Sequence, residues 1–246
     1  MAFKKNSLIL GRHPVVDAIL TGTSFDKIFL QQGVRGVFEK ELRQVTKQFN
    51  IPVQVVPKEK MNKISRANHQ GVIGLISLIP FYKLEDVLPT IYEKSETPLI
   101  LVLDGVTDIR NVGAIARSAE LGGVHTIVIP KKGAAQINAE AIKSSAGALT
   151  QIPICRAPSL SNAIEFLKLS GITLFASNLG GEKMIYDCDF TQPVAIIMGS
   201  EGKGVSREVL KSVENQFVIP QKGTIDSFNV SVATGIILYE VMRQRM

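Results

Sequence analysis

The sequence predicts an α/β protein built on a parallel sheet, with a smaller α/β or α+β unit ahead of it. Two observations carry this. Short, unbroken apolar runs alternate with stretches of helical apolar spacing, the pattern of a sheet covered on both faces. Polar loops follow three of those runs: Asp104 to Gly113, Gly199 to Gly204, and Pro220 to Asn229. Ligands of open parallel sheets sit in loops beyond the strands' carboxyl ends, so these loops are expected to form one site. The chain has 246 residues, 45% of them hydrophobic, enough for one large or two smaller domains with a real core.

In the first segment, Leu8 to Ile79, Gly11-Arg12-His13-Pro14 opens a helix running through Leu20, with Pro14 near its start. Phe25–Leu30 reads as a strand. Val37–Phe49 reads as a helix because Val37, Leu42, Val45 and Phe49 fall near one face. Val53–Val56 is a strand, Glu59–Ser65 a short helix and Val72–Ile79 a closing strand. From Phe81 to Pro98 the chain is rich in charge and interrupted by Pro89, which marks a linker or bridging helix.

Beyond it the α/β pattern is strong. Strands are expected at Leu99–Leu103, His125–Ile129, Thr173–Ser177, Val194–Met198 and Gln216–Ile219. Helices are expected at Val112–Leu121, Ala139–Ala146, Leu160–Leu169, Ser206–Lys211 and Val230–Arg243. No internal repeat or low-complexity tract interrupts the pattern.

The net charge of +6 suits a nucleic-acid partner without requiring one. Cys155 and Cys188 lie far apart with no Cys/His cluster, which argues against a disulfide framework or zinc site and for a reducing cytoplasm. Met1 to Leu10 lacks the apolar core of a signal peptide, and no apolar run reaches transmembrane length, so no membrane role is expected.

Each loop has a bland and a functional reading. Asn111 can be a helix cap with Arg117 a solvated arginine two turns on, or Arg117 can hold an anionic substrate. Asp104 and Asp108 lack the further carboxylates of a metal site, and no metal is expected. Gly199-Ser200-Glu201-Gly202-Lys203-Gly204 allows close approach of a ligand to backbone, yet lacks the spacing of a phosphate-binding P-loop. Neither does the chain carry a dinucleotide fingerprint after its first strand. Ser227 and Asn229 are good N-cap residues before the last helix. In the first segment Arg12, His13 and His69, with Lys63 and Arg66, read equally as an RNA-facing surface or as caps and solvated charges.

Taken in order, the three loops resemble those of the SpoU/TrmH family of RNA ribose 2′-O-methyltransferases, members of the trefoil-knotted SPOUT group. The resemblance rests on Asn111, Gly113, Arg117 and Ala119 in the first motif and Ile197 to Gly204 in the second. The third is Ile219-Pro220 followed by Ser227-Phe228-Asn229-Val230-Ser231-Val232-Ala233. Gly11-Arg12-His13-Pro14-Val15 and His69-Gln70-Gly71-Val72 resemble the L30-like substrate-binding domain that some members carry. The resemblance implies residues 1–80 as an RNA substrate-binding domain, 81–97 as a linker, and 98–246 as a methyltransferase domain. A deep trefoil knot is implied from about Thr173 to Ala233.

It further implies S-adenosyl-L-methionine as cofactor, held by backbone at Gly199, Ile219 and Phe228 together with Ser227 and Asn229. Arg117, Asn111, Glu201, Ser227 and Asn229 are implied as catalytic-site residues, with Arg12, His13, His69 and Arg110 toward RNA. The implied substrate is a guanosine of 23S rRNA, the alternatives being tRNA methylation or a non-catalytic RNA-binding role. A homodimer through the knotted domain is implied as well. The chain has Asp108-Ile109-Arg110-Asn111 where the subgroup often has Asp-Pro-His-Asn, and Phe228 where it often has Leu.

Overall fold

The computed structural model describes residues 7–246. The polar start from Met1 to Asn6, part of the stretch read as lacking a signal-peptide core, lies outside the described residues. The chain divides into two compact units, Met1–Pro80 and Phe81–Met246.

The first unit holds β1 (Leu8–Leu10), α1 (Arg12–Leu20), β2 (Phe25–Gln31), α2 (Val37–Gln48), β3 (Val53–Val56), α3 (Lys58–Ile64) and β4 (Val72–Ile76). Its four strands lie in the order β1-β4-β2-β3. β4 is antiparallel to β1 and β2, and β3 is parallel to β2. One face of the sheet packs Phe25, Ile28 and Leu30 against Val15, Val16 and Ile19 of α1 and Leu42 and Val45 of α2. The other face packs Phe29, Val56, Ile73 and Leu75 around Met61 of α3. β1 was not among the expected strands. Three residues carry no readable alternation, and the strand exists because β4 pairs with it.

The second unit holds α4 (Leu84–Glu93), β5 (Leu99–Asp104), α5 (Ile109–Leu121), β6 (Thr126–Pro130), α6 (Ala139–Ser144) and β7 (Ile154–Ala157). It continues with α7 (Leu160–Leu169), β8 (Thr173–Ser177), β9 (Lys183–Met184), β10 (Val194–Gly199), α8 (Arg207–Lys211), β11 (Asn215–Val218) and α9 (Val230–Arg245). The seven strands run in the order β7-β6-β5-β10-β8-β11-β9, and all pairings are parallel. Ile100, Val102, Ala195 and Ile197 turn to one face, where α4, α7 and α8 bury their apolar stripes. The alternate residues, Leu101, Leu103 and Ile196, are buried on the opposite face. There α9 contacts β10 and packs along α5.

Residues 81–97, expected as a linker, belong to this second unit. Leu84, Val87, Leu88 and Ile91 recur at i, i+3, i+4 and i+7 and are buried in its core. The charges that suggested a linker, Glu85 and Asp86, sit on the exposed face with Pro89. β7 also went unseen, because Arg156 breaks its apolar run. That arginine is buried with its guanidinium 3.3 Å from the centroid of the Phe81 ring, a cation–π contact.

The end of α9 is fastened by Gln244, whose Nε2 donates to the Cys188 carbonyl at 2.9 Å and whose Oε1 accepts from the Phe190 N–H at 2.8 Å, and by Arg245. Arg245 donates from Nε to the Phe190 carbonyl at 2.9 Å, from Nη1 to Thr97 at 2.9 Å, and from Nη2 to Gln192 at 2.8 Å and Pro98 at 3.2 Å. Charged hydrogen bonds of this kind are among the stronger ones, and truncation leaves the carbonyls without them. Arg245→Ala should lower the unfolding free energy by about 2–4 kcal/mol, read from urea denaturation. A change below about 0.5 kcal/mol would show that the clasp carries no net stability.

Candidate active site

β5 and β10 are paired in register from Leu99 opposite Val194 to Asp104 opposite Gly199, so the loops that follow them leave at one level. β11 reaches the same edge across β8. Parallel pairing thus delivers all three polar loops to the carboxyl edge of one sheet, as expected.

The first loop turns at Gly105, whose φ of +70° suits glycine. Asp108 then caps α5, its Oδ1 accepting from the Arg110 N–H at 2.8 Å and the Asn111 N–H at 3.0 Å. This corrects the expected placement of Asn111 just before the helix. Asp108 is the better acceptor at the true start, and Asn111 lies inside the first turn. Its side chain is therefore free of capping and turns to the third loop.

The second loop is a tight hairpin. Ser200 N–H donates to the Gly204 carbonyl at 3.1 Å, and Gly204 N–H returns the bond at 2.9 Å. Gly202 and Gly204 supply the positive φ values, +81° and +65°. The Asp104 carboxylate accepts from the Ser206 N–H at 2.7 Å, fixing the far end of this loop to β5. Asp104 and Asp108 thus hold the loops in place, roles distinct from the metal ligation considered for them from the sequence. Asp108 followed by a helical apolar pattern was the available signal for its role.

The third loop ends at Asn229, which caps α9. Its Oδ1 accepts from the Ser231 N–H at 2.9 Å, the Ser231 hydroxyl at 2.6 Å and the Val232 N–H at 3.4 Å. Its Nδ2 donates to Asn111 Oδ1 at 3.1 Å and to the Glu201 carboxylate. One amide thus joins all three loops. Asn229→Ala should remove about 1 kcal/mol of stability through the cap alone. The same substitution releases Glu201 and Asn111, so loop 200–204 should exchange its amide hydrogens faster. Unaltered exchange there would mean that Asn229 does not hold the loop.

Beside this junction lies a cavity of about 450 Å³. Ser177, Asn178 and Leu179 at the end of β8 line it, with Met198 to Gly204, Val218, Ile219, Gln221, and Ile225 to Phe228. Apolar walls at Leu179, Met198, Ile219 and Phe228 stand opposite polar groups at Asn178, Glu201, Gln221 and Ser227, which suits a flat heterocycle with a polar tail. Gly199, Glu201, Ile219, Ser227 and Phe228 are thereby brought together as expected. The β8 residues were missed, since only the strand order places them beside β10.

Arg117 does not line the cavity. It is exposed on α5, and among the described residues no hydrogen bond or ion pair engages it. Arg110 is also exposed and pairs with Glu140 at 3.3 Å. In the first unit Arg12, His13 and His69 line a separate concavity. His69 is 8% exposed, with Nδ1 accepting from the Gly71 N–H at 3.0 Å and Nε2 3.4 Å from Asn62 Oδ1, so it braces the turn from within.

Among the described residues, no three His, Cys, Asp or Glu side chains gather as a metal site would require. Burial pushes the Cys155 thiol up to about 11, which leaves it protonated and inert. At the end of β6, burial and then the Arg156 guanidinium press the Lys131 pKa below the ordinary lysine value. No described helix is long and apolar enough to cross a membrane.

Fold and cavity define a two-unit protein whose larger unit gathers three loops around a cavity at the edge of a parallel sheet. The chain belongs to the SpoU rRNA methylase family of RNA 2′-O-methyltransferases, which matches residues 98–239. Residues 8–81 match the family described as RNA 2′-O ribose methyltransferase substrate binding. A Staphylococcus haemolyticus protein named for the TrmH family of tRNA/rRNA methyltransferases is 33% identical over 238 residues, covering 97% of this chain and 96% of its own. One from Bacillus subtilis, named in the same way, is 30% identical over 242 residues, covering 98% and 97%. The AdoMet-bound rRNA methyltransferase from Sinorhizobium meliloti superposes with a TM-score of 0.62 at 26% identity, covering 97% of this chain and 87% of that one. The A. aeolicus TrmH/SpoU tRNA modifying enzyme has a TM-score of 0.55 at 33% identity, covering 66% and 84%.

Proposed function

We propose that this chain transfers a methyl group from S-adenosyl-L-methionine to a ribose 2′-hydroxyl of RNA, with a guanosine of 23S rRNA as target. The single observation behind this reading is the Asn229 amide, which ties Asn111 and Glu201 together beside the loop-built cavity. The cofactor supplies a methyl group already activated on a sulfonium, so what the chain must provide is orientation and help with a weakly acidic proton. Backbone groups at Gly199, Ile219 and Phe228 would hold the cofactor, with Ser227 beside them in the cavity lining and Asn229 next along the chain at the start of α9. Asn111 and Glu201 keep the loops and the RNA in place. Arg117 would take the phosphate next to the target ribose and stabilise the hydroxyl oxygen as its proton passes to solvent water, while the methyl's C–S bond breaks, its new C–O bond forms, and a neutral thioether leaves. Arg117 does so as a cation that stabilises developing negative charge, because a guanidinium is a very poor base.

The rRNA target is supported by a full-length rRNA methyltransferase neighbour. The S. meliloti rRNA methyltransferase spans 97% of this chain, the first unit included. A knot from about Thr173 to Ala233 agrees with the strand order, in which β10 lies between β5 and β8. A homodimer through α9 and its surroundings is supported by Leu121, Val232 and Tyr239, which are 71%, 50% and 66% exposed. A cytoplasmic setting agrees with the two free buried cysteines. The test is to map 2′-O-methyl groups in ribosomal and transfer RNA from cells lacking the protein. One missing methyl on a 23S rRNA guanosine is the expected outcome. Loss from tRNA would overturn the target, and an unchanged map would overturn the activity.

A further inference from the structure

The first unit carries an open concavity of about 690 Å³. Arg12, His13 and Lys58 line it together with the amides of Gln31, Asn68 and Gln70, and among the described residues no acidic side chain does. A concavity with permanent cations and no carboxylate selects an anion.

Arg12 is held on an edge and a face. Its Nε donates to the Gln70 carbonyl at 3.2 Å, its backbone N–H donates to Gln70 Oε1 at 3.2 Å, and its guanidinium lies 5.1 Å from the centroid of Phe38. Its two terminal nitrogens have no protein partner among the described residues, and they form the fork that meets a phosphate. Little further entropy is lost when such a fixed guanidinium binds.

The turn beneath it is strained. Gln70 adopts a φ of +50°, unusual for a residue with a side chain, and this conformation brings both of its acceptors to Arg12. The buried His69 props the same turn through Gly71. At Gly71 a Cβ would come within 2.8 Å of Val34, so the turn has no room for change.

We propose that this concavity is the subsite for one unpaired nucleotide of the RNA substrate, its phosphate on Arg12 and Lys58 and its base against the Gln31 and Asn68 amides. The proposal rests on the RNA-methyltransferase reading above. A concave site takes a base that has left its stack, and amide side chains match base edges.

The test uses the full chain and a fluorescent hairpin RNA with an unpaired loop, beside a duplex of matched composition. Wild-type protein should prefer the hairpin. Arg12→Gln should weaken hairpin binding about ten-fold and reduce the slope of log affinity against log salt by about 0.7, one single-strand phosphate contact. Lys58→Gln, whose side chain holds no part of the turn, should act in the same direction. The exposed Lys47→Gln on α2 should do neither. In methyl transfer, Arg12→Gln should raise KM for RNA with kcat unchanged, and calorimetric binding of S-adenosylmethionine should stay at the wild-type value.

The proposal is overturned if both Arg12→Gln and Lys58→Gln keep wild-type hairpin affinity and salt slope. It is also overturned if polyglutamate, a polyanion without bases, displaces hairpin RNA as well as unlabelled RNA does. If hairpin binding depends on Arg12 yet no RNA is methylated, the methyltransferase reading fails and the subsite stands. If methylation proceeds and neither Arg12→Gln nor Lys58→Gln alters hairpin binding, the subsite fails alone.

Discussion

Arg117→Ala should bind S-adenosylmethionine as tightly as the wild-type protein and methylate RNA about 10²–10³-fold more slowly. Arg117 lies outside the cavity lining and is exposed on α5, so its loss removes no contact from the cofactor cleft. Nor should stability change by more than about 0.5 kcal/mol, as for most exposed positions without partners. A slow step with normal cofactor affinity and normal stability separates a role toward RNA from a role in the fold. Arg117→Lys should recover little, since a lysine keeps the charge and loses the planar fork. Wild-type turnover by Arg117→Ala would remove this residue from the mechanism.

Gly199→Ala should have the largest effect on the cofactor cleft. Gly199 ends β10 opposite Asp104 and is fully enclosed. An added Cβ would fall on the backbone of Gly204 and Val205, where the hairpin of the second loop closes. Backbone gives way less easily than a side chain, so the hairpin must open, at a cost of about 3 kcal/mol. Opening it pulls against the Asp104 bond to Ser206 and carries Glu201 away from Asn229. Calorimetry should then register at least a hundred-fold loss of S-adenosylmethionine affinity, together with a lower melting temperature. Normal binding and melting would mean that the hairpin is looser than its bonds indicate.

These two residues mark what a sequence makes visible. Gly199 stands in a glycine-rich run directly after an apolar strand, a pattern that announces close backbone approach. Most of the parallel sheet was legible for the same reason, because strands such as β5 and β10 are continuous apolar runs. The elements that escaped were those whose stability comes from elsewhere in the fold. β1 depends on β4, β9 has two residues, and β7 carries Arg156, whose guanidinium stacks over Phe81. α4 is the bridging helix that the charged stretch allowed beside a linker, and its apolar residues keep a helical period despite the conspicuous charges and Pro89.

At the site, loop identity was legible and partnership was not. Ser227 and Asn229 both read as caps, and only the fold shows that Asn229 caps α9 while its amide nitrogen serves Asn111 and Glu201. Asn111 was misplaced by reading the start of α5 at Val112 rather than Ile109, which hid the capping carboxylate of Asp108. Nothing local in the sequence places Ser177 to Leu179 in the cavity, since that follows from β8 lying next to β10.

The most direct measurement of the central claim combines purified protein, S-adenosylmethionine labelled on its methyl group, and deproteinised 23S rRNA, followed by complete nuclease digestion and mass spectrometry of the nucleosides. The expected result is label in 2′-O-methylguanosine, abolished by Arg117→Ala. Label on a base, or no transfer to any RNA despite measured cofactor binding, would contradict it.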